Sequence, residues 1–122
     1  MTQGEYSTMI DMLKSATLKK KIVWTEDEGN FVTNVGGCNI ELASSYDYQI
    51  NLHSYSLKLS NRDGIVFNTY SYSEDVDVDD YQCLKRLYEC IRDMNYKVSE
   101  SEQIILSGLK DLLKQDDDNL PF

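Results

Sequence analysis

The chain has one histidine, one tryptophan and one proline, and its three cysteines never fall in a CxxC. A single His53 with Cys38, Cys83 and Cys90 scattered along the chain does not supply the ligand set of a transition-metal site, so no metal and no cofactor are expected. Three is an odd number, so at least one thiol is unpaired. Cysteines used in this way read as small buried hydrophobes in a reducing, cytoplasmic setting. No run approaches the roughly 18 apolar residues of a membrane span. The segment MTQGEYSTMI lacks the basic region and apolar stretch of a signal peptide. GxSxG, GxGxxG and GxxxxGK[ST] do not occur, which leaves no familiar nucleophile elbow or phosphate cradle. Basic residues are also scarce. Twelve Lys and Arg stand against 21 Asp and Glu, for a net charge of −9. A surface of that sign repels nucleic-acid phosphates and anionic lipid, and it attracts basic protein surfaces.

What the chain does have is periodicity. Its 122 residues, 41% hydrophobic, are enough for one domain with a core. Tyr6, Met9, Ile10 and Leu13 follow the i, i+3, i+4, i+7 spacing of a helix that fades at Lys19-Lys20-Lys21. The period then becomes two. KIVW (21–24), FVTNV (31–35), Cys38-Ile40-Leu42, Tyr48-Ile50-Leu52, Tyr55-Leu57-Leu59 and Ile65–Tyr72 read as strands. Gly36-Gly37 and NRDG (61–64) mark hairpins. The apolar phase flips between Leu52 and Tyr55, which predicts a bulge at His53-Ser54. From residue 78 the period is helical again, with Leu84, Leu87, Tyr88, Ile91 and Met94 in one stripe. Ser99 and Glu102 read as a capping box before a third helix carrying Ile105, Leu106, Leu109, Leu112 and Leu113. The expected fold is α+β: an N-terminal helix, a four- or five-stranded antiparallel meander, and two C-terminal helices that help cover the sheet. One domain over 1–115 and an acidic, flexible tail over 116–122 complete the expectation.

Residues 73–80, SEDVDVDD, hold five carboxylates in eight positions. Asp75, Asp77 and Asp79 open like an EF-hand loop, but position six is Asp80 instead of Gly, and position twelve is Arg86 instead of Glu. Carboxylates at a helix start interact well with its dipole, and Ser73, Asp75, Asp77 or Asp79 can serve as N-cap. Two acids would satisfy that role. The surplus marks Glu74, Asp75, Asp77, Asp79 and Asp80 as candidate partner-binding residues for a cationic surface, or as a mimic of nucleic-acid charge.

Nine tyrosines are many for this length, and Tyr46, Tyr48, Tyr55, Tyr70 and Tyr72 cluster in the strand region. Tyr70 and Tyr72 share one face of their strand, while Ile65, Phe67 and Thr69 share the other. One layer of helices buries one face, so Tyr70 and Tyr72 are candidates for an exposed, partner-binding surface. Cross-strand aromatic stabilisation of the sheet is the competing role. His53 at a strand irregularity reads as a structural hydrogen-bonding residue, and no catalytic residues are expected.

The segments KIVW (21–24), FVTNVGGCNIEL (31–42), YSLKLSNRDGIVF (55–67) and LKRLYECIR (84–92) resemble a recurrent small α+β domain of bacterial and phage proteins. Its marks are a Lys-Ile-x-Trp strand, a Thr-x-x-Gly hairpin and a Leu-Tyr-x-x-x-Arg helix. The resemblance implies a bacterial or phage origin and assigns no chemistry. The functional expectation is therefore a small acidic protein that binds and inhibits or regulates a larger bacterial protein, of the immunity or anti-defence type. A ligand-binding module with a Tyr-lined pocket is the alternative.

Overall fold

In the computed structural model, which describes residues 1–117 and their side chains through Lys114, one helix precedes five strands and two helices follow. The elements are α1 (Gln3–Leu18), β1 (Thr25–Asp27), β2 (Asn30–Val35), β3 (Cys38–Asp47), β4 (Leu52–Ser60), β5 (Val66–Ser73), α2 (Val78–Asn95) and α3 (Val98–Asp117). The strands form one antiparallel sheet in sequence order, the α+β meander expected from the periodicity.

Local chemistry sets the boundaries. Thr2 caps α1: its hydroxyl accepts from Glu5 N at 3.1 Å, and the Glu5 carboxylate reaches back to Thr2 N. That pair forms a capping box at the start of α1. Ser99 lies inside α3 and does not cap it, because Lys97 takes a positive φ of 52° and α3 already begins at Val98. Gly36 and Gly37, with φ of 62° and 85°, make the two-residue turn that fixes Val35 opposite Cys38. At Gly37 an added Cβ would also sit 3.1 Å from the Arg62 side chain, whose Nε donates to Gly36 O at 2.9 Å.

Three strand expectations need correction. KIVW is an ordered approach to the sheet, and the first strand starts at Thr25. Trp24 is nevertheless buried, because Thr17 and Asn95 fasten it from two helices. Tyr48 and Ile50 lie in the β3–β4 turn, so the phase flip before Tyr55 comes from a hairpin loop and not from a bulge at His53-Ser54. The irregular register falls instead between Leu59 and Ser60, where Ser60 pairs with Val66 and Phe67 is the extra residue.

The core is the layer between the sheet and α1 with α2. Phe31, Leu42 and Leu57 from the sheet and Leu84, Leu87 and Ile91 from α2 are essentially sealed, with Tyr6 and Ile10 from α1. The helices cover the face that carries Leu57 and Tyr55, and cross-strand pairing puts Tyr70 opposite Leu57 and Tyr72 opposite Tyr55. Tyr70 and Tyr72 are therefore half-buried on the covered side, with the Tyr70 ring 4.5 Å and the Tyr72 ring 6.1 Å from that of Tyr6. The exposed face of β5 carries Thr69 and Ser71, while Phe67, the extra residue of the bulge, lines the edge of the groove beside α1. That reverses the expected assignment: the Tyr70 and Tyr72 rings pack on Tyr6 of α1 instead of facing solvent.

α3 does not cover the sheet. Every residue from Ser99 to Lys114 is exposed, the apolar stripe included. Residues 116 and 117, expected to open a tail, continue α3, while 118–122 lie outside the described residues. No helix of the described residues is long and apolar enough to cross a membrane.

Candidate functional site

The predicted acidic residues gather at the end of the sheet where β5 hands over to α2. Glu74, Asp75 and Asp79 are exposed, and Asp77 and Asp80 are half-buried. Ser73 Oγ donates to Asp75 Oδ1 at 2.8 Å, and Gln3 Nε2 approaches Asp80 Oδ1 at 3.5 Å. Asp77 is the N-cap of α2, yet its side chain makes no capping hydrogen bond. The helix start thus uses the carboxylates only through its dipole, with Asp79 and Asp80 in the first turn. Val76 and Val78, between the acids, are 73% and 52% exposed. Charge and apolar surface therefore alternate along this turn.

His53 joins this turn to the next hairpin. Its backbone N donates to Glu74 Oε1 at 3.1 Å, and Glu74 N donates back to His53 O at 3.2 Å. On its other side His53 pairs with Tyr46 of β3. Tyr46, His53 and Glu74 are consequently neighbours across three chain segments, each about 5 Å from the next. Tyr46 leads into the turn that carries Tyr48 and Ile50. The Tyr46 and Tyr48 rings meet edge to face at 4.9 Å, and Tyr48 is 84% exposed. Gln49 N donating to Asp47 Oδ1 at 2.9 Å, and Tyr46 Oη donating to Asn51 Oδ1 at 3.3 Å, hold the turn closed. The result is one continuous edge: tyrosines and Ile50 on the β3–β4 tip, then five carboxylates and two valines on the β5–α2 turn.

Below this edge the His53 ring is fixed from both nitrogens. Nε2 lies 2.6 Å from Ser44 Oγ, and Nδ1 lies 2.7 Å from the Tyr81 hydroxyl. The ring also stands edge-on to Tyr55 at 4.5 Å. Ser beside His has the geometry of an activated nucleophile. The group behind the imidazole is a neutral phenol, however, whereas a hydrolytic triad uses a carboxylate to stabilise the imidazolium. Burial raises the Tyr81 pKa above its ordinary value, and the Glu74 and Glu89 carboxylates push in the same direction. The phenol stays protonated, and the Ser44–His53–Tyr81 chain ties β3, β4 and α2 together.

Tyr72 is also held protonated, first by burial and then by Asp80. Tyr70 and Tyr72 support the edge from beneath, packed on α1, and do not form its surface. Sequence reasoning missed Tyr46, Tyr48 and Ile50. The usable signal was the phase flip after Leu52, which located a hairpin tip and so exposed those side chains. Among the described residues, no three His, Cys, Asp or Glu side chains gather closely enough to hold a metal ion. All three cysteines are free thiols, and burial raises the pKa of Cys83 and Cys90. No family model matches the chain, nor does any curated protein or solved structure.

Proposed function

We propose that this chain is a small acidic protein-binding protein that inhibits or regulates a larger partner through a basic surface, in the manner of an immunity or anti-defence protein. The observation that supports it is the continuous edge of exposed Tyr46, Tyr48 and Ile50 beside Glu74, Asp75 and Asp79. Rigid tyrosines supply contact area at low entropy cost, and carboxylates steer and orient an Arg- or Lys-bearing patch. Interface cores elsewhere are enriched in Tyr and Arg, so an Arg-rich site on the partner is the natural complement. In one variant of this reading the acidic turn stands in for nucleic-acid phosphates in the partner's groove. Free thiols fit a reducing, cytoplasmic setting for the encounter. The chain itself carries out no reaction in this reading.

The test is capture from bacterial lysate at low salt and at roughly 0.5 M salt, followed by identification of what is retained. One protein retained at both salts by the wild type, and lost from Tyr48→Ser, supports the reading. A nucleic-acid-binding protein lost at high salt and from Asp75→Asn/Asp79→Asn supports the phosphate-mimic variant. Retention unchanged in all these variants sinks both.

A second reading keeps a small ligand. A groove of about 390 Å³ between α1 and the sheet end is lined by Met9, Met12, Ile22, Val35 and Phe67 among others. Its apolar, methionine-bearing lining favours a neutral hydrophobic molecule, in place of the Tyr-lined pocket expected from the sequence. A ligand screen with no rise in melting temperature counts against it.

A further inference from the structure

The apolar stripe of α3 is a finished surface without a cover among the described residues. Leu109 is 50% exposed and Ile105 60%, and Leu106, Leu112 and Leu113 are similar. At about 100° per residue, Val98, Ile105, Leu109 and Leu112 fall on one line, with Leu106 and Leu113 beside it. In proteins an amphipathic helix such as this one of 20 residues gains most of its stability from packing its apolar face. The body of the domain does not provide that packing.

We propose that α3 pairs antiparallel with α3 of a second copy of this chain. The charge pattern selects both the occupant and the direction. Glu102 lies inside the apolar stripe, and Lys110 flanks the stripe on the side of Leu106 and Leu113. An antiparallel seam centred near Ser107 sets Ile105 level with Leu109 of the second copy. It also sets Glu102 within one turn of Lys110 of the second copy, and two-fold symmetry makes that pair twice. A parallel seam would set Glu102 against Glu102 and bring two bodies side by side, each of net charge −5 over residues 1–97. Antiparallel arms about 30 Å long keep those bodies at opposite ends, beyond the Debye length of roughly 8–10 Å. Gly108 sits beside the centre of the seam with open space around it, and so allows the two backbones to approach closely on that flank.

The experiment is the mass of the full chain in solution, by light scattering or sedimentation, from about 1 to 300 μM. The wild type is expected to shift from 14.1 kDa towards about twice that mass. Leu109→Lys/Leu112→Lys is expected to stay monomeric with an unchanged near-ultraviolet spectrum, because both side chains stand outside the core. Glu102→Lys should weaken the dimer by roughly 3- to 30-fold, as for two exposed ion pairs. The charge swap Glu102→Lys/Lys110→Glu should restore it. A wild type that remains monomeric throughout the range overturns the proposal and leaves the stripe to a different protein. A double-lysine variant that still dimerises, or a charge swap that fails to restore, overturns it too.

Discussion

His53 Nδ1 and the Tyr81 hydroxyl lie 2.7 Å apart, and through that contact the only histidine locks the N-terminal turn of α2 onto the β3–β4 hairpin. Ser44 completes the tie at 2.6 Å from Nε2. His53→Ala removes both hydrogen bonds and leaves the buried Tyr81 hydroxyl without its partner. The expected cost is about 1–3 kcal/mol in a urea melt. Tyr81→Phe, which removes the hydroxyl and leaves no orphan on the ring, should cost less. A Tyr81→Phe cost near zero beside a large His53→Ala cost would mean that packing of the imidazole ring dominates and that this contact contributes little.

The indole of Trp24 donates to Thr17 Oγ1 at 2.9 Å, and that hydroxyl donates to Leu13 O at 2.7 Å. Thr17→Val keeps the shape and orphans a buried N–H. A loss of about 1–3 kcal/mol is expected, followed by the fluorescence of the single tryptophan. Thr17→Ser should retain most of the stability. If Val and Ser variants melt together, the hydroxyl is not the relevant group.

Tyr70 and Tyr48 should separate stability from binding. Tyr70 packs on the buried Tyr6 ring, so Tyr70→Ser is expected to lose about 2–3 kcal/mol of stability. Tyr48 stands in solvent at the hairpin tip, so Tyr48→Ser should stay within about 0.5 kcal/mol of the wild type while losing partner affinity. The opposite pattern in thermal melts would show that the tip is structural and Tyr70 dispensable.

Alkaline pH should unfold this protein. Burial raises the pKa of Tyr6 well above the ordinary tyrosine value, and that of Tyr55 to about 12, where Tyr81 and Glu89 add to the effect. In the unfolded chain these phenols ionise near 10. Above that pH the unfolded state has lost protons that the folded state keeps, so stability falls as pH rises. Stability is expected to be insensitive to these phenols below about pH 9, and to drop steeply from 10 to 12. The part of the absorbance near 295 nm that comes from the buried rings should appear only together with loss of circular dichroism. Full phenolate absorbance of all nine tyrosines before any loss of circular dichroism would show that the buried rings are accessible in the folded state.

The order of elements, the α+β class, the stripe of α2 and the hairpins at Gly36-Gly37 and Asn61–Gly64 were legible from the residues alone. Those features are written locally, in apolar periods of 3.6 or 2 and in residues that tolerate a positive φ. The acidic turn was legible for the same reason. The remaining features arise only when distant segments pack together. Which face of β5 meets α1 follows from the register that sets Tyr70 beside Leu57 and Tyr72 beside Tyr55, so these rings point inward while alternation alone allowed either face. Tyr48 and Ile50 looked like strand residues because alternation continues through a turn; only the pairing of Asp47 with Leu52 placed them at a tip. Their meeting with Glu74 through His53, between residues 21 positions apart, exists only once three segments lie side by side. The amphipathic pattern of α3 announced a buried face, but amphipathicity states that a face needs a partner and not which surface provides it.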